Sequence, residues 1–480
     1  MADPVVVDFP RNFAKALKDG QLRRNLRAAM DTLGMRRRTL FSDPAAFEQL
    51  RSRGDAIRQR ALRKLPDLLE QLERKCTKNG IQVHWAETPA QANGICLEII
   101  GRHNATRVIK GKSMVSEEMH LNHFLEERGI EALETDLGEY IIQLDHETPS
   151  HIIVPAIHKN RDQIARLFHE KIPDTPYTEV VEELNAIARK ILRQKFFAGQ
   201  VGVSGVNFAV AETGTLCLVE NEGNGRMCTT APPVHIAVMG IEKVLERLED
   251  VPPLLRLLTG SATGQLITTY FNMITSPRKP GEKDGPKEVH LVLLDNGRSK
   301  IWADPDLRPT LKCIRCGTCL NHCPVYTRLG GHAYGYVYPG PIGSILTPQI
   351  EGLDHAGAMA TASTFCGACE EVCPVKIPIT DILRRLRSES YDKGDSPHAV
   401  KGHGYKANLL ESLTWKGWEM SNVAPWMNAL NARLLGLVGP QLPRLSSLEI
   451  VKNWTQSRDL PSFATKSLHV LAKEKGIRDE

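Results

Sequence analysis

Two cysteine-rich runs constrain this 480-residue chain more than any other feature: CIRCGTCLNHCPVY at 313–326 and CGACEEVCPVKIPI at 366–379. The first run has the full spacing C-x2-C-x2-C-x3-C-P. The second has C-x2-C-x3-C-P and lacks the leading cysteine. This is the ligand spacing of bacterial proteins that hold two iron–sulfur clusters. The runs therefore predict iron–sulfur cofactors and make electron transfer the first function to consider.

Ligation in two-cluster proteins crosses between the runs, because the fourth cysteine of one run binds the other cluster. For this chain the rule predicts one set of four thiols, which suits a [4Fe-4S] cluster, and one set of three. The first set is Cys313, Cys316, Cys319 and Cys373, and the second set is Cys323, Cys366 and Cys369.

The second set is one thiol short, since Ser363 stands where a complete run would have its first cysteine. Three interpretations are open. The cluster is [3Fe-4S]; or it is [4Fe-4S] with Ser363, water or a partner's group on the last iron; or a distant cysteine, Cys217 or Cys228, completes the set. An iron without a thiolate could also bind substrate, as open metal positions do in other enzymes.

Zinc and disulfides are the alternative uses of these cysteines. Zinc is usually held by two separated C-x2-C pairs, and four cysteines crowded into 313–323 would wrap one zinc ion poorly. Only 11 cysteines occur in 480 residues, which favours a reducing compartment with free thiols. No secretory signal or membrane-spanning apolar stretch is visible, so a cytoplasmic location is expected, with peripheral contact at the inner membrane left open.

The net charge of +5 is too small for a strong nucleic-acid footprint. The basic triplet Arg36–Arg38 lacks neighbouring aromatic groups and is interpreted as a solvated helix surface. No nucleic-acid partner is predicted.

The chain is divided into four segments on composition and periodicity: an N-terminal helical region (1–75), an α/β domain (76–298), a helical two-cluster ferredoxin-type domain (299–392) and a helical, Trp-rich C-terminal region (393–480). Strands are predicted at 81–86, 106–111, 213–220 and 287–295, and a return strand at MCTTAP (227–232). Helices are predicted at 87–103, 116–129 (N-capped by Ser116), 235–250 and 381–391. Alternating strands and helices favour a parallel sheet covered by helices.

Catalytic groups are harder to find than cluster ligands. Glu212 lies beside a glycine that could leave room for a ligand, and His235 and His151 could carry protons during oxidation of a hydroxy acid. An ordinary structural role is the better interpretation for each. KGKSM (110–114) is not a phosphate loop, because Thr106 replaces the required glycine.

Four cations flank the cysteines: Lys312, Arg315, Arg328 and Lys376. They are interpreted either as groups that raise a cluster's potential by opposing its negative charge or as ordinary surface cations.

Blocks far from the cysteines resemble the bacterial lactate utilization protein B family, and the resemblance runs from about residue 10 to 470. These blocks include VHWAETPAQA (83–92), KGKSMVSEEMHLN (110–122), AETGTLCLVENEGNGRM (211–227), GGHAYGYVYPGPIGSIL (330–346) and WTQSRDLPSFATKSL (454–468).

The resemblance implies an α/β lactate-utilization domain, related to sugar-phosphate isomerases and CoA transferases, followed by a double-cluster ferredoxin-type domain. It implies the same seven cysteine ligands, with three at the second site. Family members act with a second cysteine-rich iron–sulfur subunit and a smaller subunit of the lactate-utilization-domain type, and together they oxidise L-lactate to pyruvate. The implied role is the electron-transfer subunit of an NAD-independent L-lactate dehydrogenase-type complex, for which the isolated chain does not suffice.

Two other functions are kept open. The chain could be the iron–sulfur subunit of another 2-hydroxy-acid oxidase, such as glycolate oxidase. It could also be a regulatory or redox-sensing module that its clusters stabilise.

Overall fold

The structure is a computed structural model that describes residues 9–391, 409–438, 466 and 468–476. The chain divides into two compact units, Met1–Gly404 and Tyr405–Glu480. The described part of the first unit contains ten strands: β1 Gln82–Ala86, β2 Arg107–Lys110, β3 Glu131–Glu134, β4 Val201–Gly205, β5 Phe208–Val210, β6 Thr215–Glu220, β7 Val234–Gly240, β8 Val244–Leu245, β9 Tyr270–Ile274 and β10 Glu288–Leu294.

The main sheet has six parallel strands in the order β1-β10-β7-β4-β2-β3. From β2 the chain moves outward to β3, then returns to β4 on the other side and continues to β7. The strand order therefore reverses between β2 and β4, which makes this the topological switch point of the sheet. A second sheet has the order β8-β5-β6-β9.

Helices cover the sheet and build the rest of the chain. Around the sheet they are Pro89–Arg102, Met114–Glu118, Leu121–Glu126, Leu137–Leu144, Arg161–Lys171, Val181–Ala198, Asn224–Thr230, Val251–Thr263 and Arg298–Ala303, after the N-terminal helices Phe9–Lys18, Gly20–Leu40, Pro44–Arg63 and Leu65–Lys78.

The cysteine region is helical throughout its described part, residues 300–391. Its helices are Thr318–Asn321, Tyr326–Leu329, Gly340–Glu351, Leu353–Ala356, Ala368–Glu371 and Ile379–Tyr391, with 3-10 turns at Arg308–Lys312, His332–Tyr334 and Gly357–Thr361. Two further 3-10 turns, Ile241–Lys243 and Leu248–Asp250, lie in the α/β part.

The described part of the second unit consists of helices Leu409–Val423, Pro425–Val438 and Leu468–Glu474. Trp415, Trp418 and Trp426 are exposed on the first two of these helices. Trp454 lies outside the described residues.

The predicted fold class is confirmed: an α/β region with a parallel sheet, then a helical cysteine region and a helical C-terminal region. The strands predicted near 81–86, 106–111, 213–220 and 287–295 all form. The four segment boundaries stay a prediction.

Three local predictions are wrong. The segment 235–250 forms most of strand β7, the short strand β8 and two 3-10 turns rather than a helix. VHIAVMG is buried on both faces in the middle of a parallel sheet, where an apolar run shows no alternation. MCTTAP belongs largely to the helix Asn224–Thr230 rather than to a strand. The N-cap residue is Ser113 rather than Ser116, and Ser113 Oγ accepts from Ser116 N. Two short helices form in place of the single helix predicted at 116–129.

Arginines of the N-terminal helices hold the cysteine region by its backbone. Arg58 is 1% exposed, and its guanidinium donates to the carbonyls of Glu242, Val244, Leu311 and Lys312 at 2.5–3.2 Å. This one side chain therefore joins the segment after β7 to the segment that leads into the first cysteine run.

Two further arginines reach the second cysteine run. Arg51 donates to Cys373 O at 2.9 Å and to Glu370 O at 3.1 Å. Arg37 is buried, donates to Val372 O at 3.2 Å and lies over the Phe47 ring. The interpretation of Arg36–Arg38 as a solvated surface is therefore wrong for Arg37, because a backbone carbonyl and an aromatic face replace its water.

We expect Arg58→Met to lower the free energy of unfolding by about 3 kcal/mol, because four buried carbonyls lose a charged donor. Urea denaturation of the anaerobically purified chain, followed by circular dichroism, measures the change. Arg63→Met on the exposed side of the same helix is the matched control and should shift stability by less than about 0.5 kcal/mol. Equal effects of the two changes would contradict the role given to Arg58.

Candidate iron–sulfur site

Four cysteines from both runs surround one small cavity. Cys313, Cys316 and Cys319 come from the first run and Cys373 from the second, and the rest of the lining is largely apolar, including Ile314, Ile342, Val375, Ile377 and Ile379. The predicted first set is therefore assembled across the two runs. Three of its thiols are buried and Cys313 is partly exposed.

The three remaining cysteines form a second group. Cys369 lies close enough to Cys323 and Cys366 for their thiolate charges to interact, and the same holds for Cys323 and Cys366. Cys366 is exposed, unlike its two neighbours. Cys319 of the first group also interacts with Cys369 of the second, so the two groups are neighbours.

The two runs fold alike around their glycines. Arg315 and Gly317 flank Cys316 with φ of +60° and +72°, and Phe365 and Gly367 flank Cys366 with φ of +54° and +78°. A short helix follows each glycine, Thr318–Asn321 and Ala368–Glu371. Because glycine takes positive φ without steric cost, the repeated Cys-Gly pair lets each run curl back so that successive thiols face one centre.

Burial raises the pKa of the thiols at Cys316, Cys319, Cys323, Cys373 and Cys369, the last to about 12, and neighbouring thiols add to the rise for most of them. Backbone N–H groups partly oppose this, since Cys323 accepts from Tyr326 N at 3.5 Å and Cys373 from Ile377 N at 3.4 Å. Such thiols lose their protons when a metal centre binds them.

The separation of the sulfur atoms bears on which metal fits. A tetrahedral zinc site, with Zn–S bonds of about 2.3 Å, places its sulfurs about 3.8 Å apart. The described residues include all 11 cysteines, and within them no three cysteine sulfurs lie within 4.8 Å of one another. These sulfurs are not spaced as the ligands of one zinc ion. Four thiols that come from both runs and line one small, largely apolar cavity fit an iron–sulfur cluster.

Ser363 is engaged locally. Its Oγ accepts from Phe365 N at 3.1 Å, and its carbonyl accepts from Arg387 at 2.8 Å. The serine therefore helps to shape the entry to the second run, and the three interpretations of the second set stay open.

Two of the four cations that flank the cysteines are buried. Lys312 donates to Asp55 and to Lys376 O, both at 2.7 Å. Arg315 lies over the Tyr338 ring, with the guanidinium carbon Cζ 4.6 Å from the ring centre. The surface interpretation is therefore wrong for Lys312 and Arg315, whereas Arg328 is exposed and Lys376 half-buried.

A buried ion network ties Arg315 to the ends of the sheet. Arg298 donates to both oxygens of Glu118 at 2.7 and 2.8 Å, and Tyr338 Oη donates to Glu118 at 2.7 Å. Arg298 Nε lies 2.7 Å from Glu242, in an orientation that makes no hydrogen bond, and Glu242 is 3.4 Å from Arg315. Burial would raise the pKa of Glu242, but the cations outweigh it and lower that pKa to about 2.

The predicted catalytic candidates do not line this region. Glu212 is exposed, and its carboxylate accepts from Leu248 N at 2.9 Å. His235 is fully buried on β7 with Nε2 2.8 Å from Ser204 Oγ, and burial lowers its pKa to about 3. Their catalytic roles stay predictions.

His151 links the α/β part to the cysteine region. Its Nδ1 accepts from Ile153 N and Val154 N, so the proton is on Nε2, which lies 3.0 Å from Asn321 Oδ1. Burial lowers the pKa of His151 to about 4. A neutral imidazole that forms hydrogen bonds through both of its nitrogens has a structural role, which agrees with the preferred interpretation of this residue.

Sequence reasoning missed two lysines that line a cavity beside Arg315, Lys112 and Lys243. Lys112 lies in KGKSM, two residues after the end of β2. Lys243 falls in the segment wrongly predicted as a helix. The available signal was the position of both lysines just beyond the carboxyl ends of buried strands.

A separate group could in principle hold a metal ion. Ligand atoms of Glu147, His158 and His332 lie within 4.8 Å of one another. However, Lys159 lies 2.9 Å from the same Glu147 oxygen that His158 contacts, and its ammonium would oppose a bound cation.

Three family profiles match the chain, and they cover most of it. The LUD domain matches residues 69–294, the 4Fe-4S dicluster domain matches 309–377, and the C-terminal domain of lactate utilisation protein B matches 385–477. The dicluster match encloses all seven predicted ligands.

Lactate utilization protein B of Bacillus subtilis (strain 168) is 40% identical over 462 residues, which cover 95% of this chain and 93% of that protein. The chain belongs to the lactate utilization protein B family. The family member of Bacillus cytotoxicus is 41% identical over 465 residues, 95% of this chain and 94% of that protein.

A protein of Escherichia coli (strain K12) named "Uncharacterized electron transport protein YkgF" is 40% identical over 464 residues, 95% of this chain and 94% of that protein. The crystal structure of a duf162 family protein from Deinococcus radiodurans is 14% identical and covers 48% of this chain and 98% of that one, with a TM-score of 0.28. At this TM-score the likeness carries no argument. Among the helices of the described ranges, none has the length and apolarity that crossing a bilayer requires.

The crossed arrangement predicts that cysteines of different runs act on the same cluster. We expect Cys373→Ala and Cys316→Ala to remove the same EPR signal from the reduced protein, and Cys366→Ala to alter the other signal. Cys96→Ala, a buried cysteine that lies outside both runs and is not a candidate ligand, is the control and should leave iron and acid-labile sulfide unchanged. If Cys373→Ala instead reproduced the effect of Cys366→Ala, ligation would not cross.

Proposed function

We propose that this chain is the iron–sulfur electron-transfer subunit of a complex that oxidises L-lactate to pyruvate and supports growth on lactate. The observation that carries the proposal is the assembly of Cys313, Cys316, Cys319 and Cys373 around one cavity in a member of this family. The oxidation releases two electrons and two protons, so it needs an electron acceptor.

The first set would hold a [4Fe-4S] cluster, and Cys323, Cys366 and Cys369 would hold a [4Fe-4S] or [3Fe-4S] cluster. Bound clusters would supply reversible one-electron transfer. The protein's own groups exclude water from the first set through its apolar lining and point backbone N–H groups at the sulfurs. Exposure of Cys366 places the second set nearer to solvent, where a redox partner could approach.

The proposed partners are a second cysteine-rich iron–sulfur subunit and a smaller subunit of the lactate-utilization-domain type. The name of the relatives, lactate utilization protein B, supports a place in a multi-protein lactate system. We propose a cytoplasmic location, and peripheral contact with the inner membrane stays an open alternative.

Reconstitution tests the proposal. The chain is purified anaerobically and assayed with L-lactate and a dye acceptor, alone and together with both companion subunits. We expect little reduction of the dye by the isolated chain and pyruvate formation by the full mixture, because one subunit conducts electrons that the complex extracts.

The Cys319→Ala chain is the matched variant in the same mixture and should lower the rate at least tenfold. Glycolate is offered in parallel, and faster oxidation of glycolate than of L-lactate would favour the other 2-hydroxy-acid oxidase. Full activity of the isolated chain after its clusters have been removed would rule the proposal out.

A further inference from the structure

A cavity of about 140 Å³ lies at the switch point of the main sheet. Two of its walls are the loops that follow β2 and β4, residues 112–115 and 205–207. Lys243 comes from the segment after β7, and Arg315 and Tyr338 come from the cysteine region. Ligands of open parallel sheets bind outside the carboxyl ends of the strands where the strand order reverses, and this cavity occupies that position.

The lining of the cavity is basic, and burial together with the nearby Arg315 lowers the pKa of Lys243 to about 7. The lining includes Lys112, Lys243 and Arg315, and it includes no Asp or Glu. Lys243 is 6% exposed and forms no hydrogen bond or ion pair with the described part of the chain. Arg315 is 9% exposed, and its Nη1 is buried without a hydrogen-bond partner among the described residues. Lys243 and Arg315 are therefore two nearly buried side chains with N–H donors that lack acceptors inside the same cavity.

Buried cations without partners are unfavourable, since water is removed and no charge replaces it. Glu242 does not relieve this, because Arg298 shares it with Arg315. An anionic ligand would provide the missing acceptor. A planar carboxylate suits a guanidinium in particular, because two parallel N–H donors match its two oxygens.

The rest of the cavity limits the size and character of the ligand. Its volume equals about four to five waters of the liquid, each about 30 Å³, which suits an acid of about six non-hydrogen atoms. Asn207 Oδ1 accepts from Val219 N at 2.8 Å, which leaves its NH₂ group as a further donor in the lining. Apolar groups such as Ile152, Val206 and Leu218 complete the wall and could contact a methyl group.

We propose that this cavity binds the carboxylate of a small 2-hydroxy or 2-oxo acid, with Arg315 and Lys243 as its charge partners and Lys112 as a third cation. The inference rests on the proposed function and adds the place where the substrate class binds in this subunit. Arg315 lies between Cys313 and Cys316, and Cys313 Sγ accepts from Arg315 N at 3.4 Å. The bound acid would therefore lie against the same short segment that carries the first cysteine set.

A neighbouring cavity of about 180 Å³ borders this site. It shares Lys112, Ile153, Leu218 and Val219 with the first cavity. Its further lining includes the carboxylates of Asp136, Glu220 and Glu222. An anionic acid would therefore be favoured in the first cavity, beside Lys243 and Arg315, over the second cavity, beside these carboxylates.

The test measures binding to the full chain, purified anaerobically with its iron–sulfur centres and without an electron acceptor. Isothermal titration calorimetry compares L-lactate and pyruvate with neutral L-lactamide and with inorganic phosphate. We expect both acids to bind, and L-lactamide, which has the same shape without the charge, to bind at least tenfold more weakly. Phosphate bound as tightly as the acids would overturn the assignment to a carboxylate.

Variants locate the site. Lys243→Met and, independently, Lys112→Met should each weaken binding of L-lactate and pyruvate at least tenfold with unchanged iron content. Lys243→Met should also leave the thermal midpoint unchanged, whereas Lys112→Met loses a hydrogen bond to Ile153 O. Lys300→Met, on an exposed helix position outside the cavity, is the matched control and should bind as the unmodified chain does. Unchanged binding in both cavity variants would overturn the proposal.

The two proposals fail in different ways. If the reconstituted complex oxidises L-lactate with the same KM when it contains Lys243→Met or Lys112→Met, the cavity is not the substrate site and the electron-transfer function stands. If the complex does not oxidise L-lactate but the isolated chain binds small acids in a manner that depends on Lys243, the site stands and the proposed function fails.

Discussion

A buried ion network fixes the distance between the sheet and the first cysteine run. Glu242 and Arg298 lie just beyond β7 and β10, and Glu118 ends the short helix that follows β2, so the network joins the segments that follow three parallel strands. Arg315 extends it into the cysteine run. Burial alone would raise the pKa of Glu118, but Arg298 outweighs it and lowers that pKa, so these carboxylates stay charged.

Networks of this kind specify geometry more than they add stability. Removing water from charged groups is costly, and a well-packed apolar replacement is often as stable. Loss of one member is different, because it leaves an uncompensated buried charge. The network therefore acts as a fixed spacer: it holds Arg315 against Tyr338 on one side and beside Cys313 and Cys316 on the other.

The predictions from sequence were most accurate for features that the local spacing of residues controls. Cysteines at intervals of three, followed by proline, leave few alternatives to a two-cluster site, and the short strands at 81–86 and 287–295 were bounded by turn residues. The prediction of a helix at 235–250 was wrong because burial on both faces of a sheet removes the alternation that identifies a strand. The meeting of the cavity cations could not be predicted, because Lys112, Lys243 and Arg315 come from distant parts of the sequence and meet only through the strand order of the sheet.

The grouping of Cys373 with Cys313 also has a consequence for how the protein is made. These residues are 60 positions apart (373 − 313), and Arg37 and Arg51 near the start of the chain donate to carbonyls at 370–373. During synthesis on the ribosome, the amino-terminal helices therefore emerge long before residues 370–373, whose carbonyls they bind. Until the last cysteine of the second run has been synthesised, the nascent chain holds an incomplete thiol set whose apolar surroundings are still open to oxygen and to competing metal ions.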